Sequence, residues 1–190
     1  MVRIAYVLIR HELRLLGSLG LWVGRRTHGG GEGEVFGHAR GQGIMLFGLG
    51  FVGVIELLGM SVLLRGRPAL ERVVLVVDVY TVVLVVALYA ASVVRPHVLT
   101  RDALRVRRGA HVDLRVPLER IAAVRRETRS PQSRRAEGEL ELAANGQTTV
   151  TLELTEPVEH TTFLGRRRPV RVVRFHADEP DRLVAALRQD

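Results

Sequence analysis

Cysteine is absent from the 190 residues, and so is lysine: all 28 basic residues are arginine. Without thiols there is no disulfide framework and no thiolate zinc site, and the redox compartment stays unspecified. The seven histidines are scattered, and none stands at metal-ligand spacing from another. His11-Glu12 opens like H-E-x-x-H, but the fifth position is Leu15, so no zinc pair forms there. No G-x-S-x-G nucleophile motif and no phosphate loop occur. The expectation is a non-enzymatic protein with no cofactor and no metal. Charge is sparse in the middle of the chain and cancels there. The net charge of +8 divides into +3 over residues 1–42, 0 over 43–94 and +5 over 95–190.

The charge-poor middle contains two apolar runs. Residues 43–64 and 73–94 are each 22 long with a single charge, Glu56 in the first and Asp78 in the second. About 20 apolar residues rising 1.5 Å each cross a hydrocarbon core of roughly 30 Å. The expectation is therefore a transmembrane hairpin, with residues 65–72 as its short loop and both termini on one side. Arginine crowds the terminal flanks (Arg25, Arg26, Arg40, Arg95, Arg101, Arg105, Arg107 and Arg108) more than the loop (Arg65, Arg67 and Arg72). By the positive-inside rule the termini are cytoplasmic and the chain is a multi-pass protein of the cell membrane. If Arg65 faces Arg72, Gly50 lies opposite Ala87 and Asp78 opposite Gly59, one turn from Glu56. Small residues let helices approach closely, and Ala87 and Ala91 form a small-xxx-small step. Gly48-Leu49-Gly50-Phe51-Val52-Gly53 matches the dinucleotide fingerprint by letter but lies inside a span, without the strand and βαβ context the motif needs. Glu56 and Asp78 are candidate intramembrane acids, about 12 Å and 9 Å below the loop-side ends of their spans. They either share a proton or an ion, or stay neutral or reach the loop arginines.

The first 27 residues lack the long apolar core and cleavage site of a signal peptide. On a helix, Arg3, Arg10, Arg14, Ser18 and Arg25 share one face, and Ile9, Leu13, Leu16, Leu19 and Val23 the other, with Trp22 beside them. Residues 1–27 thus read as an amphipathic helix in the membrane interface, or packed on the following domain. Glu12 is out of place on the apolar face. Residues 28–42 are glycine-rich and read as a linker.

From residue 95 the apolar period changes to two. Leu104 and Val106, Val112, Leu114 and Val116, Leu140 and Leu142, and Val150, Leu152 and Leu154 alternate with polar residues. Arg108-Gly109 and Asn145-Gly146 mark turns, the latter a strong hairpin signal. Further strands fit residues 119–126, 158–163 and 169–176, and residues 130–138 read as an exposed loop. A helix over 179–188 begins with Asp178 as cap. About seven antiparallel strands and a terminal helix make a small sandwich or half-open barrel.

Leu99-x4-Leu104-Arg105-Val106-Arg107-x-Gly109, then Val116-Pro117-Leu118-x-Arg120-Ile121-x2-Val124, resembles the opening of bacterial PH-like domains, where a strand pair precedes an "(I/V)-P-(L/W)-x-x-I" stretch. Such domains often follow one or two transmembrane helices. The resemblance covers residues 95–190 and implies an assembly or binding module without catalytic residues. The overall expectation is an α+β membrane protein, a two-helix hairpin followed by a PH-like sandwich or half-barrel with a C-terminal helix.

The densest basic patch is Arg166, Arg167, Arg168, Arg171 and Arg174, with Arg125, Arg126, Arg129, Arg134 and Arg135 elsewhere on the domain. These suit anionic headgroups or an acidic partner, or form a solvated face balanced by Glu137, Glu139, Glu141 and Glu153. Without any reader motif, nucleic acid is not an expected partner. Membrane lipids, anionic ones included, and a protein partner or second copy are. The leading functional expectation is a scaffold at the cytoplasmic face. The other is a subunit of a transport or proton-linked complex using Glu56 and Asp78.

Overall fold

Two helices, long and apolar enough to cross a membrane, stand antiparallel and nearly uncovered: α2, Gln42–Leu63, and α3, Pro68–Val94. No residue of α2 is buried, so it is not the core helix of a globular body. The computed structural model describes residues 2–27, 31, 33–130, 137–163 and 165–189, and the side chains of residues 2–5 and 189 are outside that description. The loop between the helices is shorter than expected. Pro68 occupies the first turn of α3, where its fixed φ suits a helix start and its missing N–H costs nothing, so the helix begins before Arg72. The register shifts accordingly. A Cβ on Gly53 would lie 3.2 Å from a Val82 methyl, and one on Gly43 3.4 Å from the Tyr89 hydroxyl, whereas Gly48 and Gly50 have nothing within 4 Å. The expected Gly50–Ala87 apposition is therefore replaced by Gly53 against Val82.

At 27 residues α3 measures about 40 Å, more than a bilayer core requires. Its buried residues, Val85, Ala87, Ala90, Ala91 and Val94, all lie in its last three turns. There α1, Val2–Val23, packs against α3 as well. Ser18 of α1 is fully buried, and its hydroxyl accepts a 3.3 Å hydrogen bond from Arg95 Nε. Glu12, the misfit of the apolar face, accepts the Tyr80 hydroxyl proton.

The remaining chain forms two four-stranded sheets. One has the order β1 (Glu34–Phe36), β2 (His97–Leu99), β3 (Ala103–Arg108) and β4 (Val112–Pro117), all antiparallel. The strand β1 lies inside the segment expected to be linker. It forms because Phe36 is an apolar side chain that the core accepts at 1% exposure, with Glu34 and Val35 pairing to Leu99 and Val98. The second sheet holds β5 (Ile121–Arg129), β6 (Glu139–Leu142), β7 (Thr148–Thr161) and β8 (Arg167–Phe175) in the order β5-β7-β8-β6. Two expectations change here. The strands expected at 150–154 and 158–163 merge into one long β7 that ends at Thr161, with a register shift between Glu153 and Val158. Asn145 and Gly146, both at positive φ, do form a tight turn closed by Ala144 and Gln147. Yet β6 pairs with β8, in parallel, and not with β7. Glu139–Leu142 thus places Leu140 and Leu142 beside Val173 and Phe175 in the core.

Between the sheets, Val116-Pro117-Leu118 leads into a single 3-10 turn, Leu118–Arg120, that carries the chain from β4 to β5. One continuous core joins both sheets and the terminal helix α4, Pro180–Gln189, through Leu183 and Val184. Asp178, expected to cap that helix, instead accepts the Arg40 N–H at 3.1 and 3.2 Å, tying the segment after β1 to the start of α4.

Candidate functional site

Helix α1 leaves several large apolar side chains exposed. Arg14, Leu15 and Ser18 turn inward, while Ile9, Leu13 and Val23 are 56%, 65% and 76% exposed. Part of the apolar side of α1 thus faces outward, while Ser18 and Arg14 meet protein together with Leu15, Leu16 and Leu19. Burial of Arg95, with Arg14 and Arg107 close by, lowers its guanidinium pKa from the ordinary arginine value, although Asp113 opposes the shift. A basic junction therefore forms where α1, the end of α3 and the first sheet meet.

The expected arginine patch divides into parts with different tasks. The turn before β8 is held by Thr162, whose N–H donates to Arg166 O at 2.7 Å and whose hydroxyl oxygen accepts the Arg166 N–H at 3.1 Å. This turn leans on α1: Phe163 stacks on His11 at 4.6 Å, and Phe163 O lies 3.1 Å from His11 Nε2. Arg166, Arg167 and Arg168 follow directly and are exposed beside that contact. Arg167 meets Glu159 at 3.2 Å across the β7–β8 ladder, while Arg166, Arg168 and Arg171 form no ion pair among the described residues. Arg174 is different. It is half-buried, donates to Glu139 at 2.6 Å, and its pKa is raised by that hydrogen bond, so it serves the β6–β8 pairing. The other domain arginines are occupied as well. Arg125 pairs with Glu153, Arg126 with Asp181 and Arg129 with Glu127. Arg134 and Arg135 lie outside the described residues.

The two candidate acids have different surroundings. Glu56 lies on an exposed face of α2, off the seam with α3. Asp78 is in the seam, in a small void lined by Leu57, Met60, Ser61, Glu71, Val74 and Leu75, and its Oδ2 is buried without a hydrogen-bond partner. Its acidic neighbour is Glu71, one helical heptad earlier, whose carboxylate accepts the Ser61 hydroxyl at 3.4 Å. The expected apposition assumed a longer loop. With α3 starting at Pro68, Asp78 faces Leu57 and its neighbours instead.

A histidine cluster escaped the sequence reading, because its members are distant in the chain. His38 follows β1, His97 opens β2, and their rings stack at 4.7 Å, with Phe175 edge-on to His97 at 4.9 Å. The backbone N–H of Arg107 donates to His97 Nδ1 at 3.0 Å, so the ring proton is on Nε2, which donates to His176 O at 2.8 Å. Burial, and then His38, hold His97 at a pKa of about 3; burial, opposed by Asp178, holds His38 at about 4. Both rings are therefore neutral. No group of three or more potential metal-binding side chains exists among the described residues, so the cluster is a neutral seam between the β1 segment and the domain.

Two larger concavities remain. One, of about 520 Å³, lies between β5 and α4, lined by Leu118, Ile121, Val124 and Leu187 with Arg101 and Arg188 at its rim. The other, of about 270 Å³, lies where the hairpin meets the domain, between Met45, Leu46 and Leu88 on one side and Arg108, His111 and Asn145 on the other. Compared with known proteins, the chain matches no family model, no curated protein and no solved structure.

Proposed function

We propose that this chain is a non-enzymatic, multi-pass protein of the cell membrane that presents a PH-like scaffold domain at the cytoplasmic face. In this reading α2 and α3 are the spans and α1 lies in the interface. The domain, joined to α3 by only Arg95 and Pro96, is held against the headgroups, where it engages anionic lipid and a protein partner. The observation that carries the reading is the set of apolar side chains that α1 leaves exposed, with Arg166–Arg168 presented beside the same helix. A helix with apolar side chains outward and arginines at its flank suits the boundary between acyl chains and anionic headgroups. The arginine asymmetry of the flanks favours cytoplasmic termini. The proton-linked reading has less support, because Glu56 and Asp78 face different surroundings.

Trp22, the one tryptophan, tests this directly, since it is 38% exposed near the end of α1. In the full chain reconstituted into bilayers with brominated lipids, bromine near the headgroups should quench Trp22 more than bromine at the chain ends. Absence of quenching at any depth would defeat the interfacial placement.

A further inference from the structure

We infer that a second copy of this chain packs on the outer face of α2, with the two Glu56 carboxyls hydrogen-bonded to each other across a two-fold axis along the membrane normal. The inference rests on the membrane reading above and extends it to the protein partner. Glu56 is the one charged residue of α2, about 10 Å from the loop-side end of the helix and about 20 Å from the other. It is exposed, off the seam with α3, and no hydrogen bond or ion pair reaches it among the described residues. An acid in hydrocarbon is costly, and acids within spans face protein or a water-filled cavity. Asp78 meets that demand inside the hairpin, in the void it shares with Ser61 and Glu71. Glu56 does not line that void, so protein outside the chain must complete its surroundings.

The face around Glu56 is laid out as a packing seam. Met45, Leu49, Val52, Glu56, Gly59 and Leu63 follow one another at alternating steps of four and three residues, the spacing that presents one stripe to a helix crossing at about 20°. All six are exposed. The same spacing through Gly53, Leu57 and Met60 marks the seam that α3 already covers, so α2 carries one filled seam and one open one. A Cβ on Gly59, one turn from Glu56, would meet nothing within 4 Å, and a glycine there lets a neighbouring backbone come close. The chemistry of the acid selects the occupant. A neutral carboxyl has one donor and accepts as well, so its complement is another neutral carboxyl. The rest of the stripe is apolar and offers no site to any other polar group. Two copies inserted in the same orientation share a two-fold axis along the normal, and a seam on that axis meets its own residues at equal depth. Glu56 then faces Glu56.

The test uses the full chain reconstituted into vesicles, where the lack of native cysteine makes each introduced one the sole thiol. V52C and G59C, one turn to either side of Glu56, should give disulfide-linked dimers on mild oxidation. L58C, at nearly the same depth and 57% exposed on another face of α2, should stay monomeric. Energy transfer between labelled copies, read over a range of lipid-to-protein ratios, measures the association itself. E56L should weaken it about tenfold, the effect of losing one interhelical hydrogen-bonded pair. E56Q, whose amide also donates and accepts, should associate nearly as the parent does. Glu56 is exposed, so neither change disturbs the hairpin. Crosslinking of L58C as readily as of V52C and G59C, or parent-like association of E56L, would overturn the shared seam. Capture of a different protein by V52C in native membranes, without self-crosslinking, would overturn the second copy as occupant. A chain stripped from the vesicles by an alkaline wash fails the membrane reading, whereas one that stays but does not associate fails this inference alone.

Discussion

Single side chains in this protein are sorted by whether a partner was built for them. His97 is fully enclosed and can keep both of its hydrogen bonds only as a neutral ring, because protonating Nδ1 would set two donors, that nitrogen and the Arg107 N–H, against each other. His38, stacked on it, has no acceptor for a second proton. Both are held near pH 4 or below, whereas an unfolded chain takes up these protons below about 6.5. The sign follows: the folded form is favoured fully above pH 6.5, and its stability falls as pH drops from 6.5 toward 4. Each histidine contributes a slope of up to about 1.4 kcal/mol per pH unit in that window. Thermal unfolding of the full chain in detergent between pH 7.5 and 4.5 measures this. The melting temperature should fall below pH 6.5, and H38Q should flatten the dependence; a flat profile in the parent would refute it. The arginines sort the same way. Arg174 is committed to Glu139, and Arg166, Arg168 and Arg171 are not, a division that five letters in a basic stretch do not reveal.

Among the elements, the hairpin gives the most direct check, because the absence of cysteine makes every introduced pair the sole thiol pair. The packing of Gly53 against Val82 predicts that a G53C/V82C double variant crosslinks within one chain on mild oxidation in the membrane. A G50C/A87C variant should crosslink poorly, since a Cβ on Gly50 would meet nothing of α3 within 4 Å. The reverse result, read as intramolecular crosslinking by mobility on denaturing gels, would restore the longer loop. Helix length and apolarity were legible in sequence because hydropathy is a sum over residues. Register was not, because it depends on where the loop ends, and one proline at the helix start moved it. A similar limit applies to α1. The heptad pattern shows two faces but not which one meets protein, and only packing on α3 turned the Ser18 face inward.

At the scale of the molecule, the segment between α1 and α2 is part of the domain that begins some sixty residues later. Phe36 fills the shared core, and Arg40 and His38 tie the same segment to Asp178 and His97. Truncating Phe36 to Ala should cost about 3–5 kcal/mol of domain stability, as for other fully buried aromatic side chains. In the full chain this should appear as earlier loss of the β signal in circular dichroism. Unchanged melting in F36A would mean that β1 is dispensable and that residues 95–190 fold as a self-sufficient unit. Sequence alone determined the inventory: two apolar helices, an amphipathic helix ahead of them, alternating strands after residue 95 and a short helix at the end. Each of these follows from local periodicity, which needs no knowledge of distant residues. Tertiary structure alone decided the pairings. It inserted β8 between β7 and β6, recruited β1 from a glycine-rich stretch, gave Glu56 and Asp78 different surroundings and stacked His38 on His97. Such choices depend on which surfaces exclude water together when the whole chain closes, and a one-dimensional pattern does not contain that information.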